Sequence, residues 1–380
     1  MRTRAAVLEA MGASPPFASS KPLVIETLEL DPPGPGEVLI RLKAAGLCHS
    51  DLSVINGDRP RPMPMALGHE AAGIVEQIGS IPDGAGGTGL AVGDHVVCVF
   101  VPSCGHCEPC MVGRPALCEP GAVANAAGTL LSGARRMRRS DGTAVNHHLG
   151  VSAFGEYATV STRSVVKVDP DLPFDEAALF GCAVLTGVGA VFNTARLPAG
   201  SSAAVVGLGG VGLSSLLGAI AAGARQVVAI DLSAEKLAFA RELGATEIVN
   251  AADSAAIEQV KDATNGGVEY AFELAGSTRA LDLAFRITKR GGTTVTAGLP
   301  PPTATMPLPP VILTAEERTL KGSYIGTAVP GRDIPHYIEL YQRGRLPVDR
   351  LMSGTLNIDE INEGFDRLHE GQAIRQVITL

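Results

Sequence analysis

Charge is scarce in this sequence: of 380 residues only 18% are Asp, Glu, Lys or Arg, against 46% apolar ones. So little charge beside so much apolar material excludes a disordered chain and leaves enough for the cores of two domains. Basic excess is lacking too, since the net charge is −8. That balance gives no general pull toward phosphate backbones, and no nucleic-acid partner is expected. The one basic cluster, Arg135, Arg136, Arg138 and Arg139, reads as a solvated loop. The opening lacks a secretory pattern, because Glu9 interrupts it before any apolar run develops. Leu197 to Ala224 carries no charge and is long enough for a membrane helix, but Pro198, seven glycines and four serines break it. A soluble, cytoplasmic protein without a membrane partner is expected. The 45 glycines follow no three-residue period, which excludes collagen, and internal repeats are absent.

Seven cysteines are present, an odd number that without a secretory signal argues against a disulfide framework. Four of them, Cys104, Cys107, Cys110 and Cys118, fall in CGHCEPCMVGRPALC with spacing C-x2-C-x2-C-x7-C. Short x2 gaps let a turn bring neighbouring sulfurs to one ion, and four soft ligands suit a structural zinc. An iron–sulfur cluster is the rival, but its run closes with C-x3-C-P, which this sequence does not have. Unliganded thiols are the third possibility. Cys48 (AAGLCHSD), His69 (LGHEAAGIV) and Cys182 (LFGCAVLTG) would together make a three-ligand zinc site with an open position. They lie 21 and 113 residues apart, so spacing alone supports the grouping weakly, and a lone Cys is often a small core residue. Cys98, in the alternating run HVVCVFVP, reads as a buried strand thiol.

Residues 1–180 are rich in short β-type runs broken by Gly and Pro, which predicts a mostly antiparallel, barrel-like domain. The Gly-rich stretch from Gly79 to Gly93 is predicted to be a loop between two strands, and residues around 120–150 read as a long irregular excursion. From about Val184 strands and helices alternate, the pattern of a doubly wound parallel sheet. Within it, VVGLGGVG places Gly207, Gly209, Gly210, Val211 and Gly212 directly after a strand and at the start of an apolar helix. This G-x-G-x-x-G brings backbone N–H groups and the helix N-terminus to a pyrophosphate. The next strand ends in Asp231, 19 residues after Gly212, where a carboxylate accepts ribose hydroxyls. A carboxylate there repels a 2′-phosphate, so NAD is favoured over NADP. An N-cap role is open to Asp231, although Ser233 suits that better.

Taken together, GHE, the four-cysteine lobe, GCAVLTG and GLGGVG…D resemble the zinc-dependent medium-chain alcohol dehydrogenases over nearly the whole chain. The similarity is strongest to the long-form branch that includes liver-type and glutathione-dependent formaldehyde enzymes. The resemblance implies a GroES-like, mostly β catalytic domain over 1–183 and 325–380, and a Rossmann coenzyme domain over 184–324. It implies two zinc ions per chain, one structural and one catalytic at Cys48, His69 and Cys182, with NAD as the hydride acceptor. Primary alcohols and aldehydes, aromatic or longer-chain ones included, are the implied substrates. By the same resemblance Ser50 takes the proton of the alcohol, Asp51 orients His69, and Glu70 lies behind the metal. His49 and Arg375 contact the pyrophosphate, Thr186 lies beside the nicotinamide, Lys236 reaches the adenosine ribose, and Phe100 lines the substrate pocket. Plainer roles stand beside these: a turn serine at Ser50, a solvated charge at Lys236, a surface ion pair at Arg375. A homodimer is implied as well.

The sequence also departs from that branch. Ser53 stands where many liver-type members carry a histidine at the outer end of the proton relay. Gly121 occupies the place of an arginine that holds the glutathione carboxylate, and Arg59, beside Asp58, the place of an acidic partner. Oxidation of a thiol–formaldehyde adduct is therefore the alternative function, with some thiol other than glutathione. Ala297 is small enough to leave room for bulkier alcohols. A zinc-free quinone reductase or crystallin-like protein is opposed by the cysteines themselves, and a zinc-stabilised redox sensor without turnover is the remaining non-enzyme reading.

Overall fold

The computed structural model describes residues 1–80 and 89–380, so residues 81–88 of the expected Gly79–Gly93 loop lie outside the described residues. The chain forms two compact units. The first begins with ten strands: β1 (Arg2–Leu8), β2 (Leu23–Leu30), β3 (Glu37–Gly46), β4 (Met65–Ala66), β5 (Glu70–Ile78), β6 (His95–Cys98), β7 (Met137–Arg138), β8 (Ala144–His147), β9 (Tyr157–Ser161) and β10 (Val165–Lys167). Strands β1, β2, β7, β8 and β4 close a barrel. Strands β10, β6, β5 and β3 run side by side in a second sheet, with β9 also paired to β3. The apolar run of β3 is buried on both faces for most of its length, as a central strand requires. Leu8, Phe17, Ile40, Leu47, Phe154 and Phe365 belong to the core beneath.

The excursion expected at 120–150 is more regular than the sequence suggested. It holds a helix, Glu119–Ala127, and the barrel strands β7 and β8. The basic cluster is likewise no solvated loop. Arg136 pairs with the buried Glu37 at 2.8 Å, Arg138 with Asp31, and Arg139 with both Glu9 and Glu26.

The second unit carries β11 (Ser202–Val206), β12 (Gln226–Asp231), β13 (Glu247–Asn250), β14 (Val268–Glu273), β15 (Thr288–Thr296) and β16 (Thr319–Gly322). All its pairings are parallel, in the order β13-β12-β11-β14-β15-β16, so the doubly wound sheet stands as expected. The uncharged window resolves into β11 and the helix Gly210–Ala221, and no single helix among the described residues is long and apolar enough to cross a membrane. The chain then returns to the first unit with β17 (Met352–Leu356) and β18 (Arg375–Thr379), β18 lying between β17 and β3. The units divide differently from the expected 184–324 boundary: residues 325–328 and Tyr337–Leu351 group with the second unit. Packing explains it. The turn at Ile325–Thr327 lies on the helix Ala183–Gly189, Val348–Leu351 on the helix Gly210–Ala221, and Asn193 Nδ2 donates to Tyr337 Oη at 3.2 Å.

Candidate functional site

In the first unit, β3 runs out at Gly46 and the chain turns at Cys48 into the short helix His49–Ile55, for which Cys48 is the N-cap. His69 sits immediately before β5, and Glu70 begins it. Cys182 follows a short helical turn at Leu179–Gly181. Candidate ligand atoms of Cys48, His69, Glu70 and Cys182 all lie within 4.8 Å of one another, and all four residues are buried. His69 Nδ1 is 3.1 Å from Asp51 Oδ1, which keeps a proton on Nδ1 and makes Nε2 the nitrogen that a cation would take by displacing its proton. That Nε2 is buried and has no hydrogen-bond partner.

Burial and mutual contact shift these donors in opposite directions. A hydrogen bond with Cys182 pulls the Cys48 thiol well below its ordinary value, against burial, while the same bond pushes Cys182 well above it. Burial alone would lower His69, yet the charge of Asp51 and their hydrogen bond hold it well above its usual range. Burial also raises Glu70 to about 7, offset in part by Arg375. A divalent cation would relieve all of this, because it favours thiolates and neutral imidazole. Two sulfurs and a partnerless imidazole nitrogen converging in a buried space fit a catalytic zinc.

Around these donors, Phe100 packs its ring edge-on against His69 at 4.9 Å. Arg375 is buried rather than in a surface ion pair. Its Nη1 donates to the Leu47 carbonyl at 3.1 Å and its Nη2 lies 3.6 Å from Glu70. Ser50 stands in the first turn of the helix His49–Ile55, and its hydroxyl makes no hydrogen bond among the described residues. His49 beside it is exposed. Ser53 Oγ donates to the His49 carbonyl at 2.8 Å. One residue near the centre was not singled out by sequence reasoning. His148 places Nδ1 3.0 Å from Asp51 Oδ1 and its ring 5.6 Å from that of His69. The available signal was the adjacent pair His147-His148 in an otherwise apolar stretch.

The cysteine lobe is a second donor set. Sulfurs of Cys104, Cys107, Cys110 and Cys118 lie within 4.8 Å of one another, and no disulfide forms among the described cysteines. Backbone N–H groups point at the sulfurs: Cys107 and His106 donate to Cys104 Sγ, and Cys104 and Gly121 donate to Cys118 Sγ. Such donors stabilise thiolates. The Cys110 backbone N–H draws Cys107 down to about 6, whereas burial pushes Cys110 up to about 12. Four sulfurs this close, met by backbone N–H donors, fit one structural zinc. Cys98 is different: it is fully buried in β6 with its thiol pushed up to about 12, as a structural thiol should be.

In the second unit the turn after β11 carries Gly207 to Gly212 into the helix Gly210–Ala221. A Cβ on Gly212 would stand 1.7 Å from the Gly207 carbonyl oxygen, so only glycine closes this turn. A Cβ on Gly209 would meet nothing within 4 Å, which leaves room for a ligand against the backbone. Gly210 and Val211 form the first turn of that helix. Asp231 ends β12, its Oδ2 accepting the Leu208 N–H at 2.6 Å and its Oδ1 the Ser233 N–H at 2.9 Å. Ser233, not Asp231, caps the helix Ala234–Glu242 by accepting the Lys236 N–H. Gly207, Asp231, Leu232, Ala251, Ala275 and Arg279 line a cavity of about 450 Å³, a volume suited to a nucleoside. Thr186 is buried on the helix Ala183–Gly189, and Ala297 follows β15.

Known proteins share this architecture. Residues 34–170 match the alcohol dehydrogenase GroES-like domain, and residues 210–343 match the zinc-binding dehydrogenase family. An NDMA-dependent alcohol dehydrogenase of Amycolatopsis methanolica is 40% identical over 381 residues, covering 100% of this chain and 99% of the relative. A solved alcohol dehydrogenase zinc-binding domain protein from Burkholderia ambifaria is 33% identical with a TM-score of 0.93, covering 100% of this chain and 99% of that one. The benzyl alcohol dehydrogenase of Acinetobacter calcoaceticus is 32% identical with a TM-score of 0.89, at the same coverage. With a two-unit fold, two sets of metal donors and these relatives, the chain belongs to the zinc-binding medium-chain alcohol dehydrogenase family.

Proposed function

We propose that this protein interconverts primary alcohols and aldehydes, aromatic or longer-chain ones among them, with NAD as hydride carrier. The observation that carries the reading is the buried convergence of Cys48, Cys182 and the partnerless His69 Nε2. Bound by these three residues, zinc supplies a Lewis acid that makes an alcohol hydroxyl acidic near neutrality. Ser50, with its hydroxyl uncommitted, relays the released proton, accepting it while passing its own on toward the cofactor ribose and water. Asp51 keeps His69 in the tautomer that offers Nε2. Phe100, edge-on against His69, lines the substrate pocket. In the second unit Asp231 accepts the adenosine ribose hydroxyls, assisted by Lys236, and the turn at Gly207–Gly212 takes the pyrophosphate; in the first unit His49 and Arg375 are N–H donors for phosphate oxygens. Thr186 adjoins the nicotinamide.

The cysteine lobe holds a second, structural zinc in this reading. The long span from Cys118 to Cys182 supports a place in the long-form, liver-type branch, and with it a cytoplasmic homodimer. Gly121 bears on the alternative, a thiol-adduct formaldehyde dehydrogenase. A Cβ there would lie 2.1 Å from the Pro102 carbonyl oxygen, so the backbone has no space for the arginine that glutathione recognition uses. A glutathione adduct is therefore the poorer substrate, and the alternative is left to adducts of other thiols. The benzyl alcohol dehydrogenase likeness supports an aromatic one.

The test is cofactor reduction across ethanol, hexanol, benzyl alcohol and hydroxymethyl adducts of several thiols, with NAD and NADP, with and without NDMA. Turnover of free alcohols with NAD alone, abolished by a zinc chelator, is expected. Turnover confined to a thiol adduct selects the alternative. Turnover only when NDMA is present, as the name of the Amycolatopsis relative suggests for that protein, would overturn free exchange of NAD.

A further inference from the structure

We propose that His148 is a positioning residue for the Cys48–His69–Cys182 centre, holding the Asp51 carboxylate that in turn fixes His69. This rests on reading that centre as a metal site. Three groups crowd one oxygen of Asp51: His69 Nδ1 at 3.1 Å, the Gly68 N–H at 3.1 Å and His148 Nδ1 at 3.0 Å. The first two are directed hydrogen bonds. The third is close but misaligned, so Asp51 Oδ2 and His148 Nδ1 are both buried without a directed partner. A buried acceptor and a buried donor left unmade on adjacent side chains each carry a desolvation cost. The terminal torsion of an aspartate is soft, so a turn of the carboxylate would let Oδ2 take up the His148 donor. Asp51 would then be held from both sides.

The backbone places His148 there deliberately. Strand β8 pairs with β4 so that His147 lies opposite Ala66, which carries His148 past the segment leading to His69. The chain then folds back through a tight turn: the His148 N–H donates to Ser152 Oγ, and the His148 carbonyl accepts from Val151 and Ser152. Within it Leu149 and Ser152 hold positive φ values of 52° and 59°, a conformation such side chains adopt only when their surroundings impose it. Beyond the turn, Ala153 N–H donates to the Gly68 carbonyl and Phe154 N–H to that of Leu67. The preceding histidine is occupied elsewhere, His147 Nε2 accepting the Arg136 N–H at 3.0 Å. Outer partners of a metal-binding histidine commonly govern how firmly the metal is kept.

The experiment compares the full-length, zinc-loaded wild type with H148F and H148N. Phenylalanine fills the space without a donor, whereas asparagine is smaller but offers an N–H near the place of Nδ1. Zinc per chain is measured first, then the rate of zinc release to a chromogenic chelator, with Cys48→Ser identifying the phase that belongs to this centre. H148F is expected to release that zinc about 10-fold faster, and H148N to stay close to wild type. If His148 merely fills space the order reverses, and that result overturns the proposal, as does equal release by all three. H148L replaces H148F should the latter not fold. A wild type whose zinc content is unchanged by Cys48→Ser would instead sink the metal-site reading itself, a failure visible without any His148 variant.

Discussion

Asp231 holds the end of β12 and leaves acceptor capacity beside a cavity. Each of its oxygens already accepts one backbone N–H, from Leu208 and Ser233, which fixes the carboxylate at the end of β12 beside the nucleoside-sized cavity. Each oxygen retains a second lone pair for a ribose hydroxyl. Asp231→Gly is therefore expected to weaken NAD by about 10-fold or more, the loss of hydrogen bonds to a charged group, while NADP is weakened less or gains. Equal changes for both cofactors in a binding titration would remove Asp231 from the ribose. At this scale much was legible in the sequence. Asp231, the glycines and the four lobe cysteines follow short spacings that local geometry turns directly into proximity. Cys48, His69 and Cys182 needed a family resemblance, because separations of 21 and 113 residues carry no angular information. His148 was missed for the same reason: its partner Asp51 is remote in sequence and close only through the pairing of β8 with β4.

At the scale of elements, Glu269 ties several pieces of the parallel sheet together. It lies on β14, accepts the N–H and hydroxyl of Ser202 at the start of β11, and pairs with Arg225 and with Lys289 of β15. Burial opposes its charge, but the Ser202 N–H with Lys289 and Arg225 holds the carboxyl at about 2, against an ordinary value of 4.5. Such a depressed value stabilises the fold fully above pH 4.5 and is lost as the pH falls from there toward 2. The shift converts to about 3 kcal/mol, and solvent screening reduces it to about 2. Glu269→Gln should thus lower the unfolding midpoint at pH 7 yet make stability flatter between pH 4.5 and 2, which thermal melts across pH will show. A parallel slope in wild type and variant would place the acid sensitivity elsewhere. The alternating strands and helices of this unit were readable because its central strands β11, β12 and β14 are apolar runs, SAAVV, QVVAID and VEYAFE. The 120–150 stretch was not, since β7 has two residues and β8 four, too short for any period to emerge. Their stability comes from closing a barrel with β1, β2 and β4 rather than from local preference.

For the molecule as a whole, metal content is the decisive property. Two zinc ions per chain are expected by elemental analysis. Cys104→Ser should lose one of them and lower the unfolding midpoint by about 10 °C, a few kcal/mol at 2–4 °C each. Unchanged zinc content in that variant would mean the lobe is not a metal site. The order in which the chain builds its units has a different consequence. The first unit opens with β1 but is not complete until β18, which lies between β3 and β17 and carries the arginine beside Glu70. A ribosome therefore makes the entire second unit while the sheet of the first still lacks that strand. The nascent chain must keep an unfinished, apolar strand edge protected until residues 375–379 emerge. Fusions or truncations at those residues will accordingly act on the yield of folded protein before they act on turnover.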